Sequence, residues 1–156
     1  MNIELRNTLP DDEPFLLAVY GSARAEELAL VPWGDEQRDA FLKMQLTAQH
    51  AYYREHFPDA AYKVILRNGE PVGRLYILRR EEGIRIMDIT LLPEHRNRGV
   101  GTFLIQELLN EGRATGRTVR IFVENFNPSL SLFQRLGFSV IDQKDFNLLL
   151  EWRQAS

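Results

Sequence analysis

The chain has 156 residues, of which 44% are hydrophobic and 26% charged, a balance typical of a soluble globular domain. Its formal net charge of −3 argues against a strongly basic binding surface, so we expect no nucleic-acid partner. The sequence has no cysteine and only three histidines, which excludes disulfides and cysteine-based metal sites, and we expect no bound metal.

The sequence also bears on location and domain number. The segment MNIELRNTLPDDEPF has no basic stretch followed by an apolar one, so we expect no secretory signal peptide. No apolar run approaches the ~18–20 residues that a membrane span needs, so we expect no membrane partner. We therefore predict a cytoplasmic protein with a single domain over residues 1–156.

Charge is distributed unevenly along the chain. Residues 1–57 carry ten acidic against five basic residues, whereas residues 79–120 carry eight arginines against six acidic residues. This asymmetry indicates two surfaces with different partners, although charges scattered over solvated faces explain it equally well.

The first third is predicted to contain a strand and then helices. Ile3 and Leu5 alternate with polar residues as in a short strand, and Pro10 followed by three acidic residues is typical of a helix start. The elements predicted here are a strand over residues 2–6, a helix from Pro10 that weakens at Gly21, a short helix over residues 24–30, and a long helix from an N-cap at Asp35 to about His56.

After residue 57 the pattern changes to strands. Asn68-Gly69 lies between two apolar runs and is a strong signal for a type I′ hairpin turn. The elements predicted here are strands over residues 61–66, 71–78 and 83–92, a helix over residues 99–113 with stop signals at Gly112 and Gly116, a strand over residues 118–123, a helix over residues 127–136, and a hairpin of residues 138–141 and 146–152. This order predicts an α/β fold with a mixed, mostly antiparallel sheet flanked by helices on both faces.

The segment RNRGVG at residues 96–101 joins a predicted strand to a predicted helix. A helix start presents unpaired N–H groups that suit a phosphate, and Gly99 and Gly101 let the main chain approach an anion closely. Arg96 and Arg98 add charged donors for phosphate oxygens. The spacing fits neither the Walker loop nor the dinucleotide fingerprint, and a glycine-rich turn with solvated arginines explains the segment equally well.

Two segments together resemble the GCN5-related N-acetyltransferase (GNAT) superfamily. They are the R-x-x-G-x-G loop, preceded by TLLP, and the downstream segment NPSLSLFQRLGF. In that family the first binds the pyrophosphate of acetyl-CoA, and the second is similar to its N-P-A-x-x-L-Y-E-x-L-G-F segment, which lines the pantetheine arm. The resemblance implies one GNAT-like domain, with residues 1–57 on the acceptor side and residues 58–156 binding the cofactor.

The resemblance also implies roles for individual residues toward acetyl-CoA. Leu91 and Leu92 would offer main-chain groups to the pantetheine, at a splay between the third meander strand and the strand over residues 118–123. Asn127 would hydrogen-bond the same arm, and Phe133 occupies a position where the family often has a tyrosine near the sulfur. The residues implied to wrap the pyrophosphate are Arg96, Asn97, Arg98, Gly99, Val100, Gly101 and Thr102.

The family reaction is direct attack of a neutral amine on the thioester, with a base that takes a proton. Asp88 and Glu124 are the best-placed carboxylates for that base in the sequence, although the alternative is that each is an ordinary carboxylate that faces solvent or pairs with an arginine. Burial would have to raise the pKa of whichever one serves.

The acid that protonates the leaving thiolate is a separate question. Tyrosine often supplies it in the family, and Phe133 cannot. Tyr76, Tyr52, Tyr53 and water remain as alternatives.

Glu26, Glu27 and Trp33 are the predicted substrate-binding residues. An acidic, aromatic rim suits a cationic amine through charge steering and cation–π contact, although a core tryptophan and helix-start charges explain the same residues. The acceptor would be an amine-bearing small molecule or a peptide N-terminus.

We therefore predict an acetyl-CoA-dependent N-acetyltransferase that acts on a primary amine. One alternative is an acyl-CoA-binding module without catalysis, for which Phe133 in place of tyrosine is the motivating feature. The other is an adaptor that binds an anion or a protein. We also consider a homodimer formed through the C-terminal hairpin.

Overall fold

The computed structural model describes residues 1–155, and the α/β fold that we predicted is confirmed over them. The strands are β1 (Ile3–Asn7), β2 (Ala61–Arg67), β3 (Glu70–Arg80), β4 (Gly83–Leu91), β5 (Thr118–Glu124), β6 (Ser139–Lys144) and β7 (Asn147–Trp152). The α-helices are α1 (Glu13–Ala23), α2 (Ala25–Ala29), α3 (Asp35–His56), α4 (Val100–Thr115) and α5 (Leu130–Arg135).

The strands form one mostly antiparallel sheet in the order β1-β2-β3-β4-β5-β7-β6. β1 pairs with β2, and β7 with both β5 and β6, in antiparallel fashion, whereas β4 and β5 are parallel. The C-terminal hairpin therefore joins the sheet with its second strand inward, and β6 is left as the edge strand with all six residues exposed.

The chain divides into two compact units. Unit 1 comprises Met1–Leu75 and Thr90–Arg96, and unit 2 comprises Tyr76–Ile89 and the described chain from Asn97 onward. The predicted division at residue 57 into an acceptor part and a cofactor part concerns function, and it stays a prediction.

The helices of unit 1 enclose an apolar cluster. Apolar side chains of α1, α2 and α3 meet there, and burying each contributes about 1.5–3 kcal/mol. The buried members are Leu16, Tyr20, Leu28, Leu42 and Leu46, with Trp33 and Phe41 packed against them.

Two glycines that we expected to weaken or end helices lie inside them instead. α1 continues through Gly21, and α4 continues through Gly112 to a C-cap at Gly116. A Cβ on Gly112 would lie 2.9 Å from the ring of Trp152, and one on Gly21 would lie 3.1 Å from a methyl group of Leu42. Both glycines therefore serve close packing of a helix against its neighbour.

Two helix starts also differ from their predicted positions. The N-cap of α3 is Gly34, so Asp35 is the first residue of the helix rather than its cap. The last helix begins at Leu130 because the side chain of Asn127 accepts hydrogen bonds from Ser129 and forms a turn there.

The predicted hairpin turn between β2 and β3 is confirmed by its backbone. Asn68 and Gly69 have φ angles of 51° and 82°, and a type I′ turn needs positive values at both central positions. Further along β3, Gly73 lies against the end of β4. A Cβ there would be 2.3 Å from the carbonyl oxygen of Thr90, so the two backbones approach as closely as glycine allows.

Unit 2 contains a buried carboxylate with two arginine partners. Glu151 on β7 is buried, and its Oε2 accepts a hydrogen bond from Arg120 Nε at 2.7 Å while Oε1 accepts one from Arg153. Burial alone favours the neutral acid, but the hydrogen bonds from Arg153 and Arg120 outweigh it and hold the pKa of Glu151 below its ordinary value. The side chains of Arg120 and Arg153 are themselves 45% and 71% exposed.

This difference in exposure predicts an unequal response to mutation. Removing both arginines by Arg120→Ala and Arg153→Ala leaves a buried carboxylate without these partners, and should lower the free energy of unfolding by about 3 kcal/mol. Glu151→Gln should cost only about 1 kcal/mol, because the exposed arginines regain water. Urea denaturation at pH 7 measures both, and a larger loss for Glu151→Gln would contradict this account.

Candidate active site

In unit 2, the parallel strands β4 and β5 stay paired over only part of their length. The register runs from Gly83 opposite Thr118 to Ile86 opposite Ile121, and both strands continue beyond it. β5 meanwhile remains paired with β7 up to Glu124 opposite Asn147. The sheet therefore opens between β4 and β5, at the splay that the resemblance implied.

Both candidate bases lie beyond the last β4–β5 pair, in the parted segments. Asp88 is half-buried on β4, two residues past Ile86. Glu124 is exposed at the end of β5, three residues past Ile121. The structure thus brings the two predicted carboxylates to the part of unit 2 where the strands separate.

In unit 1, the segment that follows β4 is fixed by its own hydrogen bonds. The N–H of Leu92 donates to the carbonyl of Val72 at 2.9 Å, and the carbonyl of Leu92 accepts the N–H of His95 at 2.9 Å. The Nε of Arg96 donates to the carbonyl of Leu91 at 3.0 Å. A pantetheine arm would therefore have to use the other main-chain groups of Leu91, or the second lone pairs of these carbonyls.

In unit 2, α4 begins without a side-chain cap. Its N-cap is Gly99, whose φ of 83° is left-handed, and the position where a Cβ would stand has no atom within 4 Å. Val100 is fully buried and anchors the first turn, whose leading N–H groups have no intrahelical acceptors. Asn97, with φ of 60°, turns the chain just before.

These features fit a diphosphate. An uncapped helix start provides N–H donors and the positive end of the helix dipole, and glycine leaves the approach open. Arg96 and Arg98 are exposed in the same loop and can contribute charged donors. Gly101 and Thr102 belong to the first turn of α4, as the prediction requires.

In the segment NPSLSLFQRLGF, two of the predicted cofactor-binding residues make contacts with their own neighbours in the chain. The Oδ1 of Asn127 accepts hydrogen bonds from the N–H and the Oγ of Ser129, at 2.9 and 2.7 Å. Phe133 is 2% exposed, and its ring packs edge-on against Phe138 at 5.2 Å between centroids. The ring of Phe133 therefore has a clear packing role, and its predicted contact with the cofactor stays a prediction.

The predicted substrate residues lie in the helical part of unit 1. Glu26 and Glu27 are exposed on α2, where a cationic molecule could meet them. Trp33 is half-buried against the apolar cluster, with its ring 5.0 Å from that of Phe41. The structure thus places the two acids at the surface and gives the tryptophan a packing function.

A buried arginine in unit 1 escaped the sequence analysis. Arg74 on β3 is only 2% exposed, and its Nη2 donates to Oε1 of Gln49 at 3.1 Å. The guanidinium groups of Arg24 and Arg74 both lie over the Tyr20 ring, at 3.5 and 5.6 Å from its centroid. The signals available in the sequence were an arginine inside an apolar strand and Gln49 in the apolar stripe of α3.

His50, next to Gln49 on α3, has a strongly altered pKa. Burial, reinforced by the nearby charges of Arg74 and Arg54, lowers the pKa of His50 from 6.5 to about 4, and Glu13 opposes the shift only weakly. His50 is therefore neutral at physiological pH in the folded protein.

This pKa predicts how stability depends on pH. Between pH 6.5 and 4 the unfolded chain holds a proton on His50 that the folded chain does not. The contribution of His50 to the free energy of unfolding is therefore fully present above about pH 6.5 and is lost as the pH falls toward 4. Allowing for partial exposure, His50 should account for about 1 kcal/mol of that loss. His50→Gln removes the titration, so urea denaturation should show a smaller decline for the variant, and parallel pH curves would contradict the assignment.

Two features are absent from the residues that the structure describes. No group of three or more histidine, aspartate or glutamate side chains could hold a metal ion. Within residues 1–155, no helix has both the length and the apolar character that a bilayer crossing requires.

An uncapped, glycine-led helix start in the same unit as a parted parallel strand pair fits a coenzyme-binding α/β protein. The chain belongs to the acetyltransferase (GNAT) family, whose model matches residues 23–138, more than half of its length.

Solved acetyltransferase structures share the fold. The PaiA N-acetyltransferase from Thermoplasma acidophilum in complex with coenzyme A is 18% identical, with a TM-score of 0.70 over 99% of this chain and 100% of that one. An acetyltransferase from Thermus thermophilus is 19% identical, with a TM-score of 0.69 over 99% and 98% of the two chains. A GNAT family acetyltransferase from Elizabethkingia anophelis with acetyl-CoA bound is 17% identical, with a TM-score of 0.61 over 98% and 99%. No curated protein matches the sequence.

Proposed function

We propose that this protein transfers the acetyl group of acetyl-CoA to a primary amine. The observation that carries the proposal is the open start of α4, where Gly99 caps the helix in a left-handed conformation and no atom lies within 4 Å of the position that its Cβ would take. Membership of the acetyltransferase family supports the reaction class, and the coenzyme A and acetyl-CoA complexes of fold relatives support the donor.

Acetyl-CoA supplies the acetyl group as a thioester. The neutral amine attacks the carbonyl carbon, a C–N bond forms, the C–S bond breaks, and the amine loses a proton. Asp88 and Glu124 are the candidate acceptors of that proton, because both lie where β4 and β5 have separated. The departing thiolate takes a proton from water or from a tyrosine hydroxyl. Of the candidate tyrosines, Tyr52 on α3 is exposed and Tyr76 on β3 is buried.

The acceptor side of the proposal keeps Glu26 and Glu27 as surface charges that attract a cationic amine, with Trp33 nearby in sequence. The exposed face of β6 is compatible with a homodimer through the C-terminal hairpin. A cytoplasmic location also belongs to the proposal.

Glycine substitutions at the two ends of α4 test the donor site. Gly99 and Gly116 both have left-handed backbones with open space where a Cβ would stand, so alanine should strain each position similarly, by about 1 kcal/mol. Only Gly99→Ala should weaken acetyl-CoA binding, by about tenfold in Kd, because only its Cβ would occupy space that the phosphate groups need. Isothermal titration measures this.

Three results would change the conclusion. Equal acetyl-CoA affinity in the Gly99→Ala and Gly116→Ala variants would remove the phosphate loop from the proposal. Acetyl-CoA binding without thiol release across a panel of amines would identify a binding module without catalysis. Failure to bind any coenzyme A species would favour the adaptor.

Replacement of the two carboxylates tests the proton acceptor. Of Asp88→Asn and Glu124→Gln, the variant that removes the base should lose about 10²–10⁴-fold in kcat/KM with unchanged acetyl-CoA affinity. Glu107→Gln, at an exposed carboxylate on α4, is the control and should match the wild type. Thiol release at varied pH provides the measurement, and full activity in both variants would show that neither carboxylate is the base.

A further inference from the structure

Three phenylalanines near the carboxyl end of β5 are unusually exposed. Phe122, Phe126 and Phe146 expose 52%, 66% and 68% of their surface. Large apolar side chains that gather at a protein surface mark binding sites more often than solitary ones do. We refer to these three residues as the phenylalanine patch.

The backbone brings the three positions of the phenylalanine patch together within unit 2. The N–H of Asn125 donates to the carbonyl of Phe146 at 2.7 Å, which holds the turn between β6 and β7 against the segment that contains Phe126. Phe122 lies on β5 opposite Leu149 of β7, so it belongs to the same end of the same pair of strands.

Phe122 lies on the side of β5 away from the helix α4. Val119, Ile121 and Val123 alternate with exposed residues and are buried, and α4 packs on their side, since a Cβ on Gly112 would touch Val119. Phe122 points to the other side, with the guanidinium of Arg85 5.2 Å from its ring centroid. The core of unit 2 therefore does not account for its ring.

The charges along this side of β5 are arranged asymmetrically. Arg120 precedes Phe122 by two residues, and its charge is already paired with the buried Glu151. Glu124 follows Phe122 by two residues on the same side, about 6.5 Å further along the strand, and its carboxylate is exposed. The exposed ring of Phe122 thus stands next to a negative charge on the same side of β5.

We infer that the phenylalanine patch binds the apolar part of the acceptor, which is a primary amine carried on an aromatic or similarly bulky apolar group. The complement of an apolar area next to a carboxylate is an apolar body with an amino group at one end. The inference rests on the proposed function, because β5 parts from β4 immediately before Phe122, where the acetyl group would be delivered. It adds a substrate class to that function.

A comparison of acceptors tests the inference. At saturating acetyl-CoA, kcat/KM for 2-phenylethylamine should exceed that for ethylamine and for spermidine by roughly tenfold or more, since each well-placed apolar group contributes at least that much. Phe122→Ala and Phe146→Ala should each reduce this preference, mainly by raising KM for 2-phenylethylamine. Ile141→Ala is the matched control, because Ile141 is also apolar and exposed but lies on β6 outside the phenylalanine patch. It should leave the preference intact.

A preference for spermidine, or an unchanged preference in both phenylalanine variants, overturns the inference while the proposed function stands. Titration of the coenzyme A complex with 2-phenylethylamine, which involves no turnover, distinguishes a failure of the inference from a failure of the proposed function. Saturable binding that Phe122→Ala weakens supports the patch even if no thiol is released, in which case the proposed function is what fails. Absence of saturable binding, or concentration-dependent dimerisation that Phe122→Ala abolishes, overturns the inference, the latter by assigning the patch to a second copy of the chain.

Discussion

The parallel pairing of β4 and β5 ends after four residue pairs, although both strands are longer, and the candidate chemistry depends on this limit. A strand that loses its partner inside a sheet needs another support, and β7 provides it by pairing with β5 to its end. The C-terminal hairpin is therefore more than an addition to the edge of the sheet. It keeps Glu124 and Phe122 in an ordered strand where β4 has already turned away.

Much of the fold could be predicted because its signals are local. The Asn68-Gly69 turn, the alternation in the strands and the acidic first turns each report on a few neighbouring residues, and the elements they predict are present. The helix interruptions at Gly21 and Gly112 were wrong because the reason for each glycine lies on another element. Leu42 and Trp152 are distant in sequence, and only the packed structure shows how closely they approach.

The candidate site was predictable to the same extent. The loop at the start of α4 follows from glycine and arginine spacing, which is local, and the structure shows the open helix start that the spacing requires. Arg74, His50 and the phenylalanine patch escaped detection because their properties come from burial, from neighbouring charge, or from the lack of a covering element. No short window of sequence contains that information.

The absence of a Cβ at Gly73 allows β3 and β4 to approach each other unusually closely. With the Thr90 carbonyl oxygen only 2.3 Å from the place of a Cβ, even alanine requires the two backbones to move apart, because the nearest atom belongs to the main chain. The residues displaced would be those that lead into Leu91 and Leu92, and through them into the phosphate loop. In evolutionary terms, any other amino acid can replace Gly73 only if the neighbouring strand changes at the same time.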